Sequence, residues 1–129
     1  MSVLRATGSQ FDPNAFLTSS ALQPCNVFIK GQRRSESDMW DLSGLTVATS
    51  DSEIDDFQKQ LTDSIEFLIS NRAELLRLKS FEGVDDVRLD FGVGRRPAYA
   101  QYYFFPPELV ALANEFGMGL EISIYGRSE

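Results

Sequence analysis

Histidine is absent from this chain of 129 residues, and cysteine and tryptophan each occur once. Without histidine, the chain has neither a Ser-His-Asp triad nor a Cys-His nucleophile pair. The usual zinc sites are excluded as well, because they need several cysteine or histidine ligands. Cys25 follows a proline, and we interpret it as a small apolar core residue. We therefore expect no cofactor and no metal site, and we favour a protein without enzymatic activity while leaving that question open.

The chain also lacks long apolar runs and an excess of positive charge. No apolar run approaches the ~18 residues that a membrane-spanning helix needs, and residues 1–10 do not resemble a signal peptide. A single cysteine cannot form an internal disulfide. These absences favour a cytoplasmic protein with no membrane partner. Nineteen acidic residues against twelve basic ones give a net charge of -7, which repels a phosphate backbone, so we expect no nucleic-acid partner.

What the sequence does contain is the composition of a globular domain. Hydrophobic residues make up 43% of the chain and charged residues 24%. A chain of this size can bury enough surface for one hydrophobic core but not for two. We therefore predict a single α+β domain over residues 1–129.

Alternation of apolar and polar residues predicts the strands. It is clearest around Val87, Leu89, Phe91 and Val93, which alternate with polar residues or glycine. The aromatic-rich segment 98–105 is predicted to pair with this strand as a hairpin. Further strands are predicted at residues 3–7, 26–30, 39–42 and 120–125.

Apolar residues at steps of three and four predict one long helix. They run from Ile54 to Leu76, which indicates an amphipathic helix of about 27 residues. Ser50 and Glu53 have the spacing of a capping box at its start. Two shorter helices are predicted to begin at Asp12-Pro13 and at Pro106-Pro107-Glu108, and Gly117 is predicted to end the second of them.

The order of these elements predicts the fold class. Strand-helix-strand units follow one another, joined by hairpins, and Ser43-Gly44 is expected to end the third strand. The first six elements match the split βαβ arrangement of ferredoxin-like folds, whose right-handed crossovers place the helices on one sheet face. We predict an α+β, ferredoxin-like split βαβ plait variant. It has a mostly antiparallel sheet of about six strands, with one long and two short helices.

Several landmarks in this order carry a family resemblance. They are Gly8-x-x-Phe11-Asp12-Pro13, Lys30-Gly31, Trp40 with Leu42-Ser43, the long central helix, Pro107-Glu108-Leu109 and the closing segment Glu121–Gly126. In order and spacing, the chain resembles the bacterial domain-of-unknown-function family numbered 4279. That family has no assigned activity. The resemblance therefore implies an architecture and carries over no functional residues.

The outer face of the predicted sheet is the candidate binding surface. If the apolar residues of each strand face the helices, their polar neighbours face away from them. Gln101 suggests that Tyr99 and Tyr103 share this outer face, with Tyr102 and Phe104 inside. Tyrosine and arginine are enriched at the cores of interfaces. The predicted binding residues are Arg5, Arg88, Asp90, Tyr99, Gln101, Tyr103, Ser123 and Tyr125.

The sequence is compatible with three functions. The leading hypothesis is a non-enzymatic protein-binding module whose outer sheet face contacts a protein partner or a second copy of the chain. The first alternative is a small-ligand-binding protein or an enzyme with an Asp/Arg/Tyr pocket, which predicts a concave cavity that holds Asp90, Arg88 and a tyrosine. The second alternative is an immunity-type protein that neutralises a basic toxin through the acidic segment Asp51–Asp56, by analogy of size and charge alone.

Overall fold

A computed structural model describes residues 1–126 and has an α+β architecture. The last three residues of the predicted domain lie outside the described residues. None of the helices in residues 1–126 is long and apolar enough to cross a membrane. In chain order, the elements are β1 (Ser2–Gly8), α1 (Pro13–Leu17), β2 (Asn26–Phe28), β3 (Arg33–Ser35), β4 (Asp38–Met39), β5 (Ser43–Ser50), α2 (Phe57–Ser70), α3 (Arg72–Lys79), β6 (Asp86–Gly94), α4 (Pro107–Glu115) and β7 (Gly119–Tyr125).

β1 lies at the centre of the main sheet, whose strand order is β2-β5-β1-β6-β7. The pairs β1–β5, β1–β6 and β2–β5 are antiparallel. β7 is parallel to β6, because α4 carries the chain back across the sheet between them. The prediction of a mostly antiparallel α+β sheet is confirmed. It has five strands, with β3 and β4 forming a separate small sheet, instead of about six strands in one.

Alternation along the strands separates a covered face from an outer face. In β1, Leu4 and Ala6 are buried, whereas Arg5 and Thr7 are only half-buried. The register continues this separation across the sheet, because Leu4 lies beside Leu89 of β6. The helices pack on the covered face, and the core there includes Leu45, Leu61, Leu68, Phe91, Leu109 and Phe116.

β5 is the main element that the sequence patterns did not predict. Ser43 and Gly44 begin this strand of eight residues, so the prediction that they end a strand is wrong. Gly44 lies opposite Phe28 of β2. A Cβ atom on Gly44 would come within 2.6 Å of the Phe28 ring, so packing, and not a turn, requires glycine here. The strand predicted at residues 39–42 is replaced by the short β3–β4 hairpin.

The start of the long helix also differs from the prediction. Asp56 caps α2 by accepting a hydrogen bond from the backbone N–H of Lys59. The predicted capping box of Ser50 and Glu53 is therefore wrong. Ser50 ends β5 instead, and its hydroxyl donates a hydrogen bond to Asp63 of α2 at 2.7 Å.

The predicted long helix is interrupted at Asn71, which separates α2 from α3. Asn71 has φ -113° and ψ 24°, outside the helical region. Its side-chain amide donates to the carbonyl oxygen of Phe67 at 2.9 Å. Asparagine side chains compete in this way with the helical hydrogen-bond pattern, which explains the break. Periodicity alone did not reveal it, because the apolar spacing continues through both helices.

Residues 98–105 form no strand, so the predicted hairpin with β6 is wrong. The Gln101 side chain instead bonds the local backbone, accepting from Arg96 N–H and donating to the carbonyl oxygen of Gly94. The edge of β6 that this segment was expected to cover is occupied by β7. The strand preference of aromatic residues is weak where tertiary packing offers them other positions.

Most of the remaining predictions agree with the structure, but β2 ends at Phe28 and not at Lys30, and Cys25 is exposed and not in the core. The side chain of Asp12 accepts from Ala15 N–H at the start of α1, as its position before Pro13 predicts. The strands predicted around residues 87–93 and 120–125 are confirmed as β6 and β7. Gly117 has φ +65° just after α4, the left-handed conformation that a C-terminal cap requires.

Candidate functional site

Polar side chains of β1, β6 and β7 meet on the outer face of the sheet. Arg5 and Arg88 lie directly opposite each other on neighbouring strands. Like charges in such positions repel, but acidic side chains surround this pair. Arg88 donates hydrogen bonds to Asp86 at 2.7 Å and to Glu121 at 3.0 Å. Arg5 lies 3.6 Å from Glu121 and 3.7 Å from Asp90. Two arginines and three acidic residues on three strands therefore form one network of ion pairs.

The environment of Arg88 stabilises its positive charge. The hydrogen bond to Asp86 and the charge of that carboxylate raise the pKa of Arg88, and Glu121 acts in the same direction. Arg88 is therefore held in place by two acceptors. Arg5 makes only the longer contacts to its acids, so its guanidinium keeps more freedom to meet another group.

Asp90 is a buried carboxylate at the base of this polar group. Its residue surface is only 6% exposed. The Ser123 hydroxyl lies 2.8 and 2.9 Å from the two carboxylate oxygens of Asp90. A buried charge needs such partners, because burial removes its hydration. Asp90 and Ser123 therefore form a fixed polar unit on the outer face.

Two aromatic rings stand on opposite sides of these polar residues, and each lies over a glycine. The Phe28 ring covers Gly44, where a Cβ atom would lie 2.6 Å from Phe28 Cζ. The Tyr125 ring covers Gly92, where a Cβ atom would lie 3.1 Å from Tyr125 Cε2. Because glycine has no side chain, both rings can approach the sheet closely. The rings form two walls, with the polar residues between them.

Trp40 extends the wall formed by Phe28. The two rings stack with their centroids 4.2 Å apart and their planes at 20°. The hairpin holds Trp40 through its backbone, since Gly31 N–H donates to Trp40 O and Trp40 N–H donates to Gln32 O. The Arg34 guanidinium carbon lies 4.7 Å from the centroid of the Trp40 ring system. The small hairpin therefore fixes an aromatic wall beside the sheet.

The walls and the sheet enclose a concave space, which we call the outer concavity. Its volume is about 760 Å³, within the range of about 300–1,000 Å³ that is common for small-molecule sites. Arg5, Asp90 and Thr46 contribute to its polar floor, and Val3 and Ile54 add apolar surface. The arrangement can hold a molecule that has both apolar and hydrogen-bonding groups.

Comparison with known proteins identifies the family. A family model described as "Domain of unknown function (DUF4279)" matches residues 2–127. The chain belongs to the DUF4279 family. The family resemblance seen in the sequence is thereby confirmed. No curated protein and no solved structure matches the chain.

The structure brings together five of the eight predicted binding residues of this DUF4279 chain. Arg5, Asp90 and Tyr125 line the outer concavity. Arg88 and Ser123 lie beside it, because Arg88 is paired with Arg5 on the neighbouring strand and Ser123 bonds to Asp90. The alternation along β1, β6 and β7 therefore predicted the faces of these three strands.

The other three predicted residues, Tyr99, Gln101 and Tyr103, are not in the sheet and do not line the outer concavity. Their predicted placement was wrong because it assumed a strand at residues 98–105. Tyr103 packs against Phe57 of α2, on the helix side, with ring centroids 4.9 Å apart, and receives a hydrogen bond from Gln101. Tyr99 is fully exposed, and so is most of Tyr102, which was expected to be inside. Phe104, also expected inside, is exposed as well.

Several residues of the DUF4279 concavity were not predicted, chiefly Phe28, Trp40 and Thr46. Thr46 lies on β5, which the patterns did not predict, and Phe28 pairs with that strand. The sequence contained a signal for this site, namely a glycine at a polar position of an alternating segment. Gly44 stands beside the apolar residues Leu45 and Val47 in this way, and Gly92 stands beside Val93. A strand glycine on a solvent-facing position indicates that another group approaches the backbone closely.

Proposed function

We propose that this DUF4279 domain binds a small amphipathic organic molecule in the outer concavity. The observation that carries the proposal is the shape of the sheet's outer face, which is concave and has aromatic walls on two sides of a polar floor. The sequence alone left a small-ligand-binding protein as an alternative, and that alternative requires a concave site with an acidic, an arginine and a tyrosine residue. Asp90 and Tyr125 supply two of these groups, and Arg5 supplies the arginine in place of Arg88, which was expected in the pocket and lies outside its lining.

The lining supports a ligand with a ring or other flat apolar part. Phe28, Trp40 and Val3 offer apolar surface that gains free energy when water leaves it. On the floor, Asp90 is an acceptor that Ser123 holds in place before binding, and Arg5 is a donor whose guanidinium can turn to meet the ligand. Groups that are fixed before binding lose little entropy on binding. The ligand would therefore present hydrogen-bonding groups towards β1 and β6.

The strand order also supports this function. We infer that β1, β2, β5 and β6, in the order β2-β5-β1-β6 with antiparallel neighbours, form the ferredoxin-like plait that the sequence predicts. In such a plait the helices lie on one face of the sheet. The other face is then available for a ligand.

A fluorescent probe tests the proposal. N-phenyl-1-naphthylamine is neutral and amphipathic, and its emission increases in apolar surroundings. We expect it to bind the protein and to quench the emission of Trp40, the single tryptophan of the chain, by energy transfer. Thr46→Phe places a ring on the floor of the outer concavity and should weaken probe binding by about tenfold, which corresponds to about 1.4 kcal/mol.

Thr62→Phe is the matched control, because Thr62 lies on the exposed side of α2. This variant should bind the probe as the unchanged protein does. Thermal unfolding checks that both variants are folded. The proposal fails if the unchanged protein does not bind the probe, or if Thr46→Phe binds it with the same affinity.

The other two functions remain predictions. A protein partner on the outer face would now contact Arg5, Arg88 and Tyr125, since Tyr99, Gln101 and Tyr103 lie elsewhere. An immunity-type role would use the acidic segment Asp51–Asp56, whose last residue caps α2. Nothing in the described residues favours either function over ligand binding.

A further inference from the structure

The outer edge of β7 is free of backbone partners among residues 1–126. β7 ends the strand order of the main sheet, and only β6 pairs with it. The carbonyl oxygen of Tyr125 accepts a hydrogen bond from Arg95 N–H, on the β6 side. Because backbone groups alternate in direction along a strand, Leu120, Ile122 and Ile124 direct theirs to the outer edge.

This edge lacks the features that usually protect a sheet from pairing with another chain. Such features include very short edge strands, lysine, proline and covering loops. The opposite edge strand, β2, has three residues and is followed by the β3–β4 hairpin. β7 has seven residues and contains no lysine or proline. Its one charged residue, Glu121, is engaged by Arg5 and Arg88 of the same chain.

We infer that a second copy of this chain pairs with β7, edge to edge and antiparallel. A two-fold axis at Ile122 places Leu120 opposite Ile124 of the second copy and Glu121 opposite its Ser123. Apolar residues then meet apolar residues, and no like charges lie directly opposite each other. The same axis joins two five-stranded sheets into one continuous sheet, because a two-fold interface uses the same surface on both copies.

Exposed apolar side chains of β7 and of the neighbouring helix α4 would extend this contact. Ile124 is 51% exposed, and Val110 of α4, the helix that packs against β7, is 48% exposed. Val110 shares a shallow groove with Phe104, which is 72% exposed. Exposed apolar groups that cluster in this way indicate an interaction site. An edge-to-edge dimer would bring these groups of one copy towards those of the other.

Light scattering during size-exclusion chromatography tests the inference on the full chain. At micromolar concentration, we expect a mass of about twice 14.5 kDa. Leu120→Lys and Ile124→Glu should each give a monomer, since each places a charge against an apolar residue of the second copy. An equimolar mixture of the two variants should regain the dimer mass, because the introduced lysine of one copy then faces the introduced glutamate of the other.

Rescue by mixing separates a pairing role from misfolding, since an unfolded variant would not recover. Ile69→Lys is the control, because Ile69 is an exposed apolar residue on α2 and should leave the dimer intact. A monomer in the unchanged protein would overturn the inference. So would a mixture that stays monomeric, or a dimer that Ile69→Lys disrupts. Probe binding in the outer concavity is measured in a separate experiment. The mass measurement therefore neither supports nor contradicts the proposed ligand binding.

Discussion

The aromatic ring of Phe28 lies over Gly44 of the neighbouring strand, in space that any larger residue would fill. This contact joins the edge strand β2 to the sheet and sets the position of one wall of the outer concavity. It is also one reason why β5 was not predicted, since a serine-glycine pair usually suggests a turn. The effect of replacing Gly44 is therefore informative about both the fold and the site.

Gly44→Ala should displace the Phe28 ring and weaken the wall. The added Cβ atom meets the ring at 2.6 Å and the carbonyl oxygen of Ala6 at 2.4 Å. We expect the free energy of unfolding to fall by about 1–3 kcal/mol, as is typical for overpacking. Binding of N-phenyl-1-naphthylamine should weaken as well. Chemical denaturation and probe titration measure the two effects.

Gly119→Ala is the control for this substitution. Gly119 also lies in a strand, but nothing would lie within 4 Å of its Cβ atom. Its replacement should change neither stability nor probe binding substantially. If the Gly44→Ala protein were as stable as the unchanged protein, the contact between Phe28 and residue 44 would not require glycine.

A ring of three buried hydroxyl groups should contribute measurably to stability. The hydroxyl oxygens of Ser2, Thr49 and Ser64 lie 2.8–2.9 Å from one another, so each can donate one hydrogen bond and accept one. Thr49→Val keeps the shape but leaves Ser2 and Ser64 with one partner fewer. We expect a loss of about 1–3 kcal/mol, measured by chemical denaturation. Thr62→Val, at an exposed position of α2, should have a much smaller effect.

Asp63 should make stability depend on pH. Hydrogen bonds from Lys59 and Ser50 lower the pKa of Asp63 below its ordinary value of 3.8. The unfolded chain therefore takes up this proton at a higher pH than the folded protein does. The stabilisation is present above the ordinary pKa and is lost as the pH falls through the lowered one.

Asp63→Asn should therefore destabilise the protein at pH 7, and the difference from the unchanged protein should shrink as the pH is lowered below about 4. Denaturation curves at several pH values measure this difference. Glu66→Gln on the same helix is the control, since Glu66 makes no ion pair or side-chain hydrogen bond with the described residues. A difference that stays constant with pH would contradict the prediction.

Arg77 should not be replaceable by lysine without loss of stability. Its guanidinium group donates to the carbonyl oxygen of Phe16 at 2.8 Å and to Glu74 at 3.0 Å, and it lies 4.0 Å from the Phe16 ring centroid. Lysine has no planar group to make these three contacts together. We expect Arg77→Lys to cost about 1–2 kcal/mol in thermal or chemical unfolding. Arg33→Lys, on the exposed hairpin, should be close to neutral.

Much of the sheet could be predicted from alternation. The pattern at Val87, Leu89 and Phe91 gave β6 and its two faces, and thereby placed Arg88 and Asp90 on the outer face. Proline and aspartate at helix starts gave α1 and α4, because their preferences are local. The resemblance to the DUF4279 family depended partly on these helix starts, and the match of the family model confirmed it.

The rest depended on contacts between residues far apart in the chain. Gly44 belongs to a strand because Phe28 covers it, and Tyr103 turns towards the helices because Phe57 is there. Such partners are brought together only by the fold, so local propensity cannot reveal them. The concave shape of the outer face was beyond prediction for the same reason, since Trp40 reaches it through a hairpin.

The central position of β1 has a consequence for synthesis on the ribosome. The backbone N–H of Ser9, just after β1, bonds to Asp85, which is 76 residues further along the chain. At ~5–20 residues per second, translation of that stretch takes roughly 4–15 s. Until β6 emerges, the edge of β1 that pairs with β6 has no strand partner, so this edge is open to pairing with other chains while β5 covers only the opposite edge.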